Sequence, residues 1–381
     1  MLYFDAHATT PCDPLVVAAM APFWTDTFGN ASSLHHPFGW AARDAVETAR
    51  AHVASLAGAR LRDVVFTSGA TEANNLALKG CVEGSRDPVH GFGHVVTVVT
   101  EHSAVLDPCR WLEAQRTHVT YLRVSHDGLV SPADLEAALT PSTRLVSVMA
   151  ANNEIGILQP LSELAAVAHR AGALFHTDAS QALGKVPIDM DAMGIDLLSC
   201  TAHKLYGPKG VGALVARRKA KVPLAMQLHG GGHEGGLRSG TLNVPGIVGF
   251  GEACRLARER LTVDSARLTA LRDRLWTKLR TALPDVHLRG ALQPRLPHNL
   301  NIGFGGCSSR DLVLALDDVA VSPGAACAST SAEPSHVLRA LGLSEAEAKS
   351  SLRFGLLRTT TEDEVDEVVR RVVEVVTAMR R

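Results

Sequence analysis

The 381-residue sequence lacks a charge bias, a long apolar run and a basic, apolar leader. Its formal net charge is −1, so composition gives no indication of a nucleic-acid or membrane-surface partner. No apolar run approaches the ~20 residues that a membrane-spanning helix needs. Residues Met1–Asp5 carry neither the basic stretch nor the apolar stretch of a signal peptide. We therefore expect a cytoplasmic protein with no direct contact to nucleic acid or membrane.

Paired cysteines are also lacking. The seven cysteines are widely scattered, without a Cys-x-x-Cys spacing, at Cys12, Cys81, Cys109, Cys200, Cys254, Cys307 and Cys327. An odd and scattered set argues against a disulfide framework and against a structural zinc site. We expect a reduced compartment and no bound metal.

What the sequence does contain is an alternation of short apolar strands with helical segments. The strand candidates lie at 63–66, 94–100, 145–149, 173–176 and 195–200. Such alternation indicates βαβ units and a mostly parallel sheet flanked by helices, an α/β fold. Each of these strands is followed by polar residues, and ligands of such sheets bind beyond the carboxyl ends of the strands. The sequence therefore predicts one pocket at that edge.

The pattern of predicted strands and helices changes near residue 246. A long periodic helix is predicted over 251–283, followed by strand candidates at 299–302 and 319–321 and a final helix over 361–381. We predict a large α/β domain over residues 15–250 and a smaller α+β domain formed by residues 1–14 and 251–381.

Lys204 lies on a turn between two apolar, strand-like segments, close to Thr201 and His203. Most lysines are solvated surface charges, but the stem of this one begins in the interior. Desolvation there would lower its pKa and allow the neutral amine to form a Schiff base. Pyridoxal phosphate (PLP) is a partner that would need such a lysine, together with hydroxyl and N–H groups for its phosphate.

Three further motifs follow strands. Asp178 either caps the next helix or pairs with a pyridinium nitrogen, and Gln181, three residues on, could then reach the phenolic oxygen of the same ring. Ala70 and Thr71 stand where a strand turns into a helix, a place suited to a phosphate. No Gly-Lys-Ser/Thr follows them, which excludes a Walker A loop. His102 is either a buried histidine satisfied by the backbone or a ring that stacks on a cofactor and moves protons.

The segment 322–335 contains Cys327 and no leucine, isoleucine, valine, methionine or aromatic residue. We predict a mobile surface loop, and a cysteine at its centre suggests a nucleophile that travels. Arg353, among apolar residues, is either a surface residue or a bidentate clamp for a substrate carboxylate.

Together these motifs resemble the cysteine desulfurases, a branch of the fold-type-I PLP enzymes in the class V aminotransferase group. The resemblance extends over nearly the whole chain, on segments 4–5, 8–11, 28–30, 66–72, 101–102, 152–154, 175–179, 203–210, 238–241, 327–335 and 353. It departs from the family pattern at Gly235, where an arginine is usual, and at Gly355 and Leu357, where a serine and a glycine are usual.

The resemblance implies a role for each matching residue. Lys204 would be the Schiff-base lysine, Asp178 the partner of the pyridine nitrogen, Gln181 the ligand of the phenolic oxygen and His102 the stacking acid–base. The phosphate group would be held by Ala70, Thr71, Thr201 and His203. Thr241 would reach the phosphate of the neighbouring subunit, which implies a homodimer. Asn153, Arg353 and Asn30 would contact the substrate, and Cys327 would carry the persulfide.

The function that this resemblance implies is PLP-dependent conversion of L-cysteine to L-alanine, with sulfur passed through Cys327 to an acceptor protein. The longer cysteine loop resembles the branch that delivers sulfur directly to partners. Iron–sulfur assembly, tRNA thiolation and DNA phosphorothioation are all open, and the end of the chain at Arg381 leads us to expect a specialised system such as the last. The alternatives are a selenocysteine lyase or another PLP-dependent C–S lyase, and a cysteine hydrolase that would leave Lys204 and Asp178 without a role.

Overall fold

The computed structural model describes residues 1–85, 93–220, 222–324 and 333–381. The strands are β1 (Leu2–Tyr3), β2 (Val64–Thr67), β3 (His94–Val98), β4 (His118–Leu122), β5 (Thr143–Ser147), β6 (Leu174–Asp178), β7 (Leu197–Thr201), β8 (Gly212–Ala216), β9 (Val286–Leu288), β10 (Asn299–Phe304), β11 (Val319–Ala320) and β12 (Ser351–Gly355). The helices are α1 (Pro14–Met20), α2 (Pro22–Thr25), α3 (Pro37–Ala57), α4 (Ala70–Gly84), α5 (Ser103–Ala114), α6 (Pro132–Ala138), α7 (Leu161–Arg170), α8 (Met190–Met193), α9 (Val244–Ala282), α10 (Ser309–Ala315), α11 (His336–Ala340), α12 (Glu345–Ala348) and α13 (Glu362–Met379).

A seven-stranded sheet forms the centre of the molecule, in the order β2-β8-β7-β6-β5-β3-β4. Strand β8 pairs antiparallel with both of its neighbours, whereas β7, β6, β5, β3 and β4 pair in parallel. The predicted mostly parallel sheet is therefore confirmed. Because β2 runs in the same direction as β7, the carboxyl ends of β2, β3, β5, β6 and β7 meet at one edge.

Helices cover both faces of this sheet. Leu76 of α4 and Leu112 of α5 pack on one face, and Val46 of α3 and Phe250 of α9 belong to the core on the other. All of these side chains are almost fully buried. This two-faced cover explains why the strands read as continuous apolar runs rather than as alternating ones.

A smaller antiparallel sheet, in the order β12-β10-β9, lies in the second half of the chain, and β1 pairs in parallel with β11. Helix α9 contributes to two cores: its residues up to Ala257 pack with the central sheet, and those from Leu268 on pack with the smaller sheet. Phe4 belongs to the smaller core as well. The division into 15–250 and 1–14 plus 251–381 stays a prediction, drawn across a helix that is continuous from Val244.

Two local differences from the predicted elements have clear causes. The helix expected from residue 15 to 23 is split into α1 and α2, with Pro22 at the start of the second, because proline has no N–H to donate to the preceding turn. Strand β4 was not predicted. It pairs only with β3 at the sheet edge, and its burial is uneven, so it lacks the continuous apolar run of the inner strands.

Within the described residues, no helix combines the length and the apolar character that crossing a membrane requires.

Candidate active site

A cavity of about 490 Å³ lies at the edge where the parallel strands end. Its volume is in the range typical of sites for small molecules. Ten of the residues predicted from sequence line it: Ala70, Thr71, His102, Asn153, Asp178, Gln181, Thr201, His203, Lys204 and Arg353. The sheet thus brings together side chains that are spread over nearly three hundred positions of the sequence.

Asp178 is the last residue of β6 and is 8% exposed. Its carboxylate accepts one hydrogen bond from Asn74 Nδ2 (2.7 Å) and one from the backbone N–H of Ser180 (2.9 Å). The segment that follows is a series of turns rather than the helix that a capping role would require. The carboxylate is therefore held in place at the cavity wall.

Asn74 is a site residue that sequence reasoning missed. It lies on α4, one turn after Ala70, and its side chain is completely buried. A polar residue among the otherwise apolar buried positions of α4 was the available signal, because such a residue needs a specific partner.

Lys204 ends a short 3-10 turn, Ala202–Lys204, that directly follows β7. Its Nζ donates to the carbonyl oxygens of His7 and Ala8, at 2.9 Å for Ala8. The amine is half-buried at the cavity wall. Lys204 thus follows a buried strand and lies at the cavity wall, and its lowered pKa stays a prediction.

His102 precedes α5, and both of its predicted roles have a structural counterpart. Its Nδ1 accepts a hydrogen bond from the backbone N–H of Ala104 (3.1 Å), which caps the helix, and its ring lines the cavity. Burial lowers the pKa of His102; among the neighbouring charges, the carboxylate of Asp178 opposes this shift and the ammonium of Lys204 adds to it. Because Nδ1 is an acceptor, the neutral ring carries its proton on Nε2.

The N-terminus of α4 forms one end of the cavity. Gly69, at φ 157°, precedes the helix, and a Cβ placed there would meet only Thr201 Oγ1, at 3.9 Å. The first N–H groups of a helix have no intrahelical acceptor, so this end is open to an anion. His203 also lines the cavity; its Nδ1 contacts Thr9 Oγ1 (3.1 Å), and burial lowers the pKa of His203 to about 4.

Arg353 is the middle residue of β12 and is 1% exposed. The alternative prediction, that Arg353 is a surface residue, is therefore wrong. Its guanidinium donates to the backbone oxygen of Asn153 (2.9 Å) and forms an ion pair with Asp5 (2.7 Å). Its Nε is buried and has no hydrogen-bond partner among the residues that the structure describes. A buried arginine at the wall of a cavity fits recognition of a carboxylate.

Three predicted residues are not among the described residues that line the cavity. Asn30 and Thr241 are exposed, and the Asn30 side chain accepts from Ser32 N (2.9 Å) within its own turn. Cys327 lies outside the described residues. Their roles stay predictions.

The six cysteines that the structure describes contrast with the one predicted to react. Cys12 is half-buried and the others are buried. Burial raises the pKa of Cys81, Cys109 and Cys200 to about 12 and that of Cys254 well above its usual value. Thiols held in this way are poor nucleophiles, because the thiolate is the reactive form.

The residues present fit PLP. The open helix end at Gly69 suits a phosphate, the fixed carboxylate of Asp178 suits a protonated ring nitrogen, and Lys204 supplies an amine. The three lie on one wall of a cavity large enough for the coenzyme and an amino acid.

Comparisons with known proteins agree with this geometry. The family model of the aminotransferases of class V matches residues 2–368. The chain is 52% identical over 379 residues to cysteine desulfurase IscS of Anaeromyxobacter dehalogenans (strain 2CP-C), covering 100% of this chain and 93% of that protein. A solved NifS-like protein superposes with a TM-score of 0.91 at 34% identity, covering 99% of both chains. SspA in complex with cysteine superposes with a TM-score of 0.82 at 36% identity, covering 95% of this chain and 100% of the other. The chain therefore belongs to the class V aminotransferases and, within them, to the PLP-dependent cysteine desulfurases.

Proposed function

We propose that this enzyme takes sulfur from L-cysteine onto Cys327 and passes it to an acceptor protein, leaving L-alanine. The observation that carries the proposal is the convergence of Lys204, Asp178 and Arg353 on one cavity. When bound there, PLP supplies an electron sink for the bonds that break at the substrate.

Lys204 would hold the coenzyme through its amine, and Asp178 would accept a hydrogen bond from the protonated ring nitrogen. The carboxylate is oriented for this by Asn74 and by the N–H of Ser180. A fixed carboxylate keeps the ring nitrogen protonated, which is the condition for an effective electron sink.

The phosphate would lie at the start of α4, near Ala70 and Thr71, with Thr201 and His203 on its other side. Helix N–H groups and a hydroxyl are suitable donors for an anion. Gln181 would contact the phenolic oxygen of the ring.

The substrate carboxylate would bind Arg353, whose orientation is set by Asp5 and the backbone of Asn153. A guanidinium with a fixed plane recognises a carboxylate in a defined direction. The amino acid is thereby aligned with its reacting end toward the sheet edge.

Lys204 and His102 are the groups placed to move protons at the substrate. The lowered pKa of His102 keeps its ring neutral near pH 7, with the proton on Nε2. His102 therefore offers its Nε2–H as a donor in the cavity. To act as a base, it would have to take up a proton at Nδ1, and this would break the hydrogen bond that Nδ1 accepts from Ala104 N. We therefore assign the role of the base to Lys204.

In the sulfur step, the Cys327 thiolate attacks the sulfur of the substrate. The substrate bond between Cβ and sulfur breaks, and a sulfur–sulfur bond forms on Cys327. The electron pair of the broken bond stays with the substrate, whose Cβ takes up a proton and becomes the methyl group of alanine. The substrate carbon is reduced, and the sulfur pair is oxidised to a persulfide, so no other oxidant is needed. The burial of most other cysteines supports Cys327 as the attacking residue.

We also propose a homodimer, in which Thr241 serves the cavity of the other subunit. Thr241 is exposed and does not line the cavity of its own chain. Large apolar side chains are also exposed at Trp24, Phe28 and Phe38, as is common at interfaces between subunits. Mixing equal amounts of Lys204→Ala and Thr241→Ala protein, after reversible dissociation, should restore about a quarter of the wild-type activity, because about half of the dimers are then mixed and one of the two sites in each is intact. No recovery in mixed dimers would argue against a shared site.

Replacement of Cys327 tests the function directly. Cys327→Ser should bind coenzyme and L-cysteine with unchanged spectra, while alanine formation nearly vanishes, since a hydroxyl is a far weaker nucleophile toward sulfur. Mass spectrometry of cysteine-treated wild type should place the added sulfur on the peptide that contains Cys327. Cys307→Ser is the matched control and should retain activity.

The same experiment separates the alternatives. A selenocysteine lyase or other C–S lyase would tolerate Cys327→Ser, and full activity of that variant would contradict the proposal. Co-purification of a protein that receives labelled sulfur would identify the acceptor. The cytoplasmic location remains a prediction.

A further inference from the structure

The imidazole of His7 contacts the side-chain amide of Gln181. His7 is 1% exposed, and its Nδ1 is 2.9 Å from Gln181 Oε1. The Gln181 Nε2 donates to the backbone oxygen of His7 (3.1 Å). Both ends of this amide are therefore bound to one residue of the N-terminal segment.

The position of the proton on His7 follows from its other neighbour, Asn299. The Nδ2 of Asn299 lies 3.1 Å from His7 Nε2 and also donates to the backbone oxygen of Glu154 (3.1 Å). The Oδ1 of Asn299 accepts from Arg295 (3.0 Å). Reversing the Asn299 amide would place its NH₂ against the guanidinium, so the orientation is fixed and Nε2 of His7 is the acceptor.

A neutral His7 must then carry its proton on Nδ1 and donate it to Gln181 Oε1. A second proton on Nε2 would point at the NH₂ group of Asn299, and burial lowers the pKa of His7 well below its usual value in any case. The ring thus acts as a permanent donor toward Gln181.

The Nδ1–H donor of His7 determines the orientation of the Gln181 amide, that is, which positions its oxygen and its nitrogen occupy. A reversed amide would set its NH₂ against the Nδ1–H of His7 and its oxygen against the backbone oxygen of His7. In the observed orientation, Oε1 and one N–H are used by His7. The second N–H of Nε2 is the one hydrogen this cavity-lining side chain can offer to a ligand.

We propose that His7 is a positioning residue that fixes the Gln181 amide so that it presents an N–H, not its oxygen, to the phenolic oxygen of the coenzyme. The inference rests on the proposed placement of PLP beside Gln181. An N–H donor stabilises the ionised form of that oxygen and lowers its pKa, whereas an amide oxygen in its place would raise it.

The surroundings of the ring are shaped for it. His7 stacks on His298 with ring centroids 4.5 Å apart. A Cβ at Gly355 would stand 2.7 Å from His7 Cδ2 and 2.9 Å from the backbone N of Ala6. The glycine at 355 therefore leaves the space that the imidazole and its segment occupy.

The test is a pH titration of the visible absorption band of the coenzyme-loaded enzyme. His7→Leu removes the donor and should raise the titration midpoint by about one pH unit, a tenfold change in the ionisation constant. His7→Asn, whose Nδ2 can stand near the place of Nδ1, should stay within about 0.3 pH units of wild type.

The titratable groups that line the cavity are the same in all these variants: Glu72, His102, Asp178, His203, Lys204, Lys209 and Arg353. Those that act on His7 from neighbouring elements are also unchanged: Lys185, His298 and again Lys204 and Arg353.

A mutant cycle with Gln181→Leu makes the result decisive. Gln181→Leu should shift the midpoint as His7→Leu does, and the double variant should shift no further, because both changes remove the same contact. An unchanged midpoint in His7→Leu, or additive shifts in the double variant, would overturn the positioning role.

The outcome for the proposed function is read separately. If Gln181→Leu leaves the midpoint unchanged, the placement of PLP beside Gln181 is wrong, and the inference fails with it. If Gln181→Leu shifts the midpoint but His7→Leu does not, only the inference fails. Should His7→Leu not fold, as judged by thermal melting without coenzyme, His7→Ala removes the same donor at smaller size and is expected to give the same shift.

Discussion

The two walls of the cavity are built differently. One wall is the edge of the central sheet, where Asp178 ends β6 and Lys204 follows β7, and these two strands pair in parallel over the last three residues of β6. The other wall joins distant parts of the chain, because Asp5 pairs with Arg353 and His7 contacts Asn299. The first wall is set by strand pairing, and the second by how the N-terminal segment packs on the smaller sheet.

This difference assigns different duties to the two walls. The groups proposed to hold the coenzyme by its amine, ring nitrogen and phosphate lie on the sheet edge, where backbone hydrogen bonds fix their spacing. The group proposed to hold the substrate carboxylate, Arg353, lies on the assembled wall, and its partner Asp5 comes from a separate segment. Variants of the sheet wall should therefore affect coenzyme binding and turnover, and variants of Arg353 on the assembled wall should mainly affect KM.

The largest effect is expected for Lys204→Ala. No other residue is proposed to hold the coenzyme through an amine, so the visible absorption of bound PLP and alanine formation should both be lost. The thermal melting temperature without coenzyme should stay close to wild type, because the role of the lysine is chemical. Lys349→Ala, which removes an exposed lysine paired with Glu345, is the control and should be fully active. An undiminished absorption band in Lys204→Ala would refute the assignment of this wall.

Asp178→Asn should weaken coenzyme binding and lower turnover by roughly 10²-fold or more, since a neutral amide does not hold the proton on the ring nitrogen. Asn74→Leu should lie between this variant and wild type, because it frees the carboxylate without removing it. Steady-state rates at saturating coenzyme would measure both. A rate for Asp178→Asn within about threefold of wild type, under ~0.7 kcal/mol, would show that the carboxylate only shapes its turn.

For the assembled wall, Arg353→Lys should raise KM for L-cysteine by about tenfold to a hundredfold with a smaller change in kcat, because a lysine keeps the charge but not the fixed pair of donors. The visible spectrum of bound coenzyme should be unchanged. Arg289→Lys is a matched control, since Arg289 is also buried in the smaller sheet region but bonds to Ser351 and to the backbone of Glu347 away from the cavity. A fall in kcat at unchanged KM would contradict the division of duties between the walls.

The same comparison explains what could be predicted from the sequence. The residues of the sheet wall could be predicted because each of them follows an apolar segment of the sequence. This local pattern places a residue such as Asp178 or Lys204 at one edge of the sheet. The role of His7 was not readable, because it depends on Asn299, whose position relative to residue 7 is set only by tertiary packing. Asn74 was missed for a related reason: its partner Asp178 is 104 residues away. The burial of Arg353 likewise follows from a sheet that forms between distant strands.

The smallest effect concerns the interior behind the sheet wall, at His176. This histidine of β6 is fully buried between the hydroxyls of Ser147 (2.8 Å) and Ser199 (3.0 Å), and burial lowers its pKa to about 4. His176 therefore takes up a proton near pH 6.5 in the unfolded chain but only near pH 4 in the folded chain. The stability that neutral His176 contributes is present above pH 6.5 and is lost as the pH falls between these values.

His176→Gln should reduce the loss in free energy of unfolding between pH 7 and pH 5 by about 1–2 kcal/mol, measured by urea denaturation. His126→Gln, at an exposed position, should leave that loss as it is in wild type. An equal loss in wild type and His176→Gln would show that acid acts on the molecule elsewhere, for instance at the buried histidines His7 and His298 of the assembled wall.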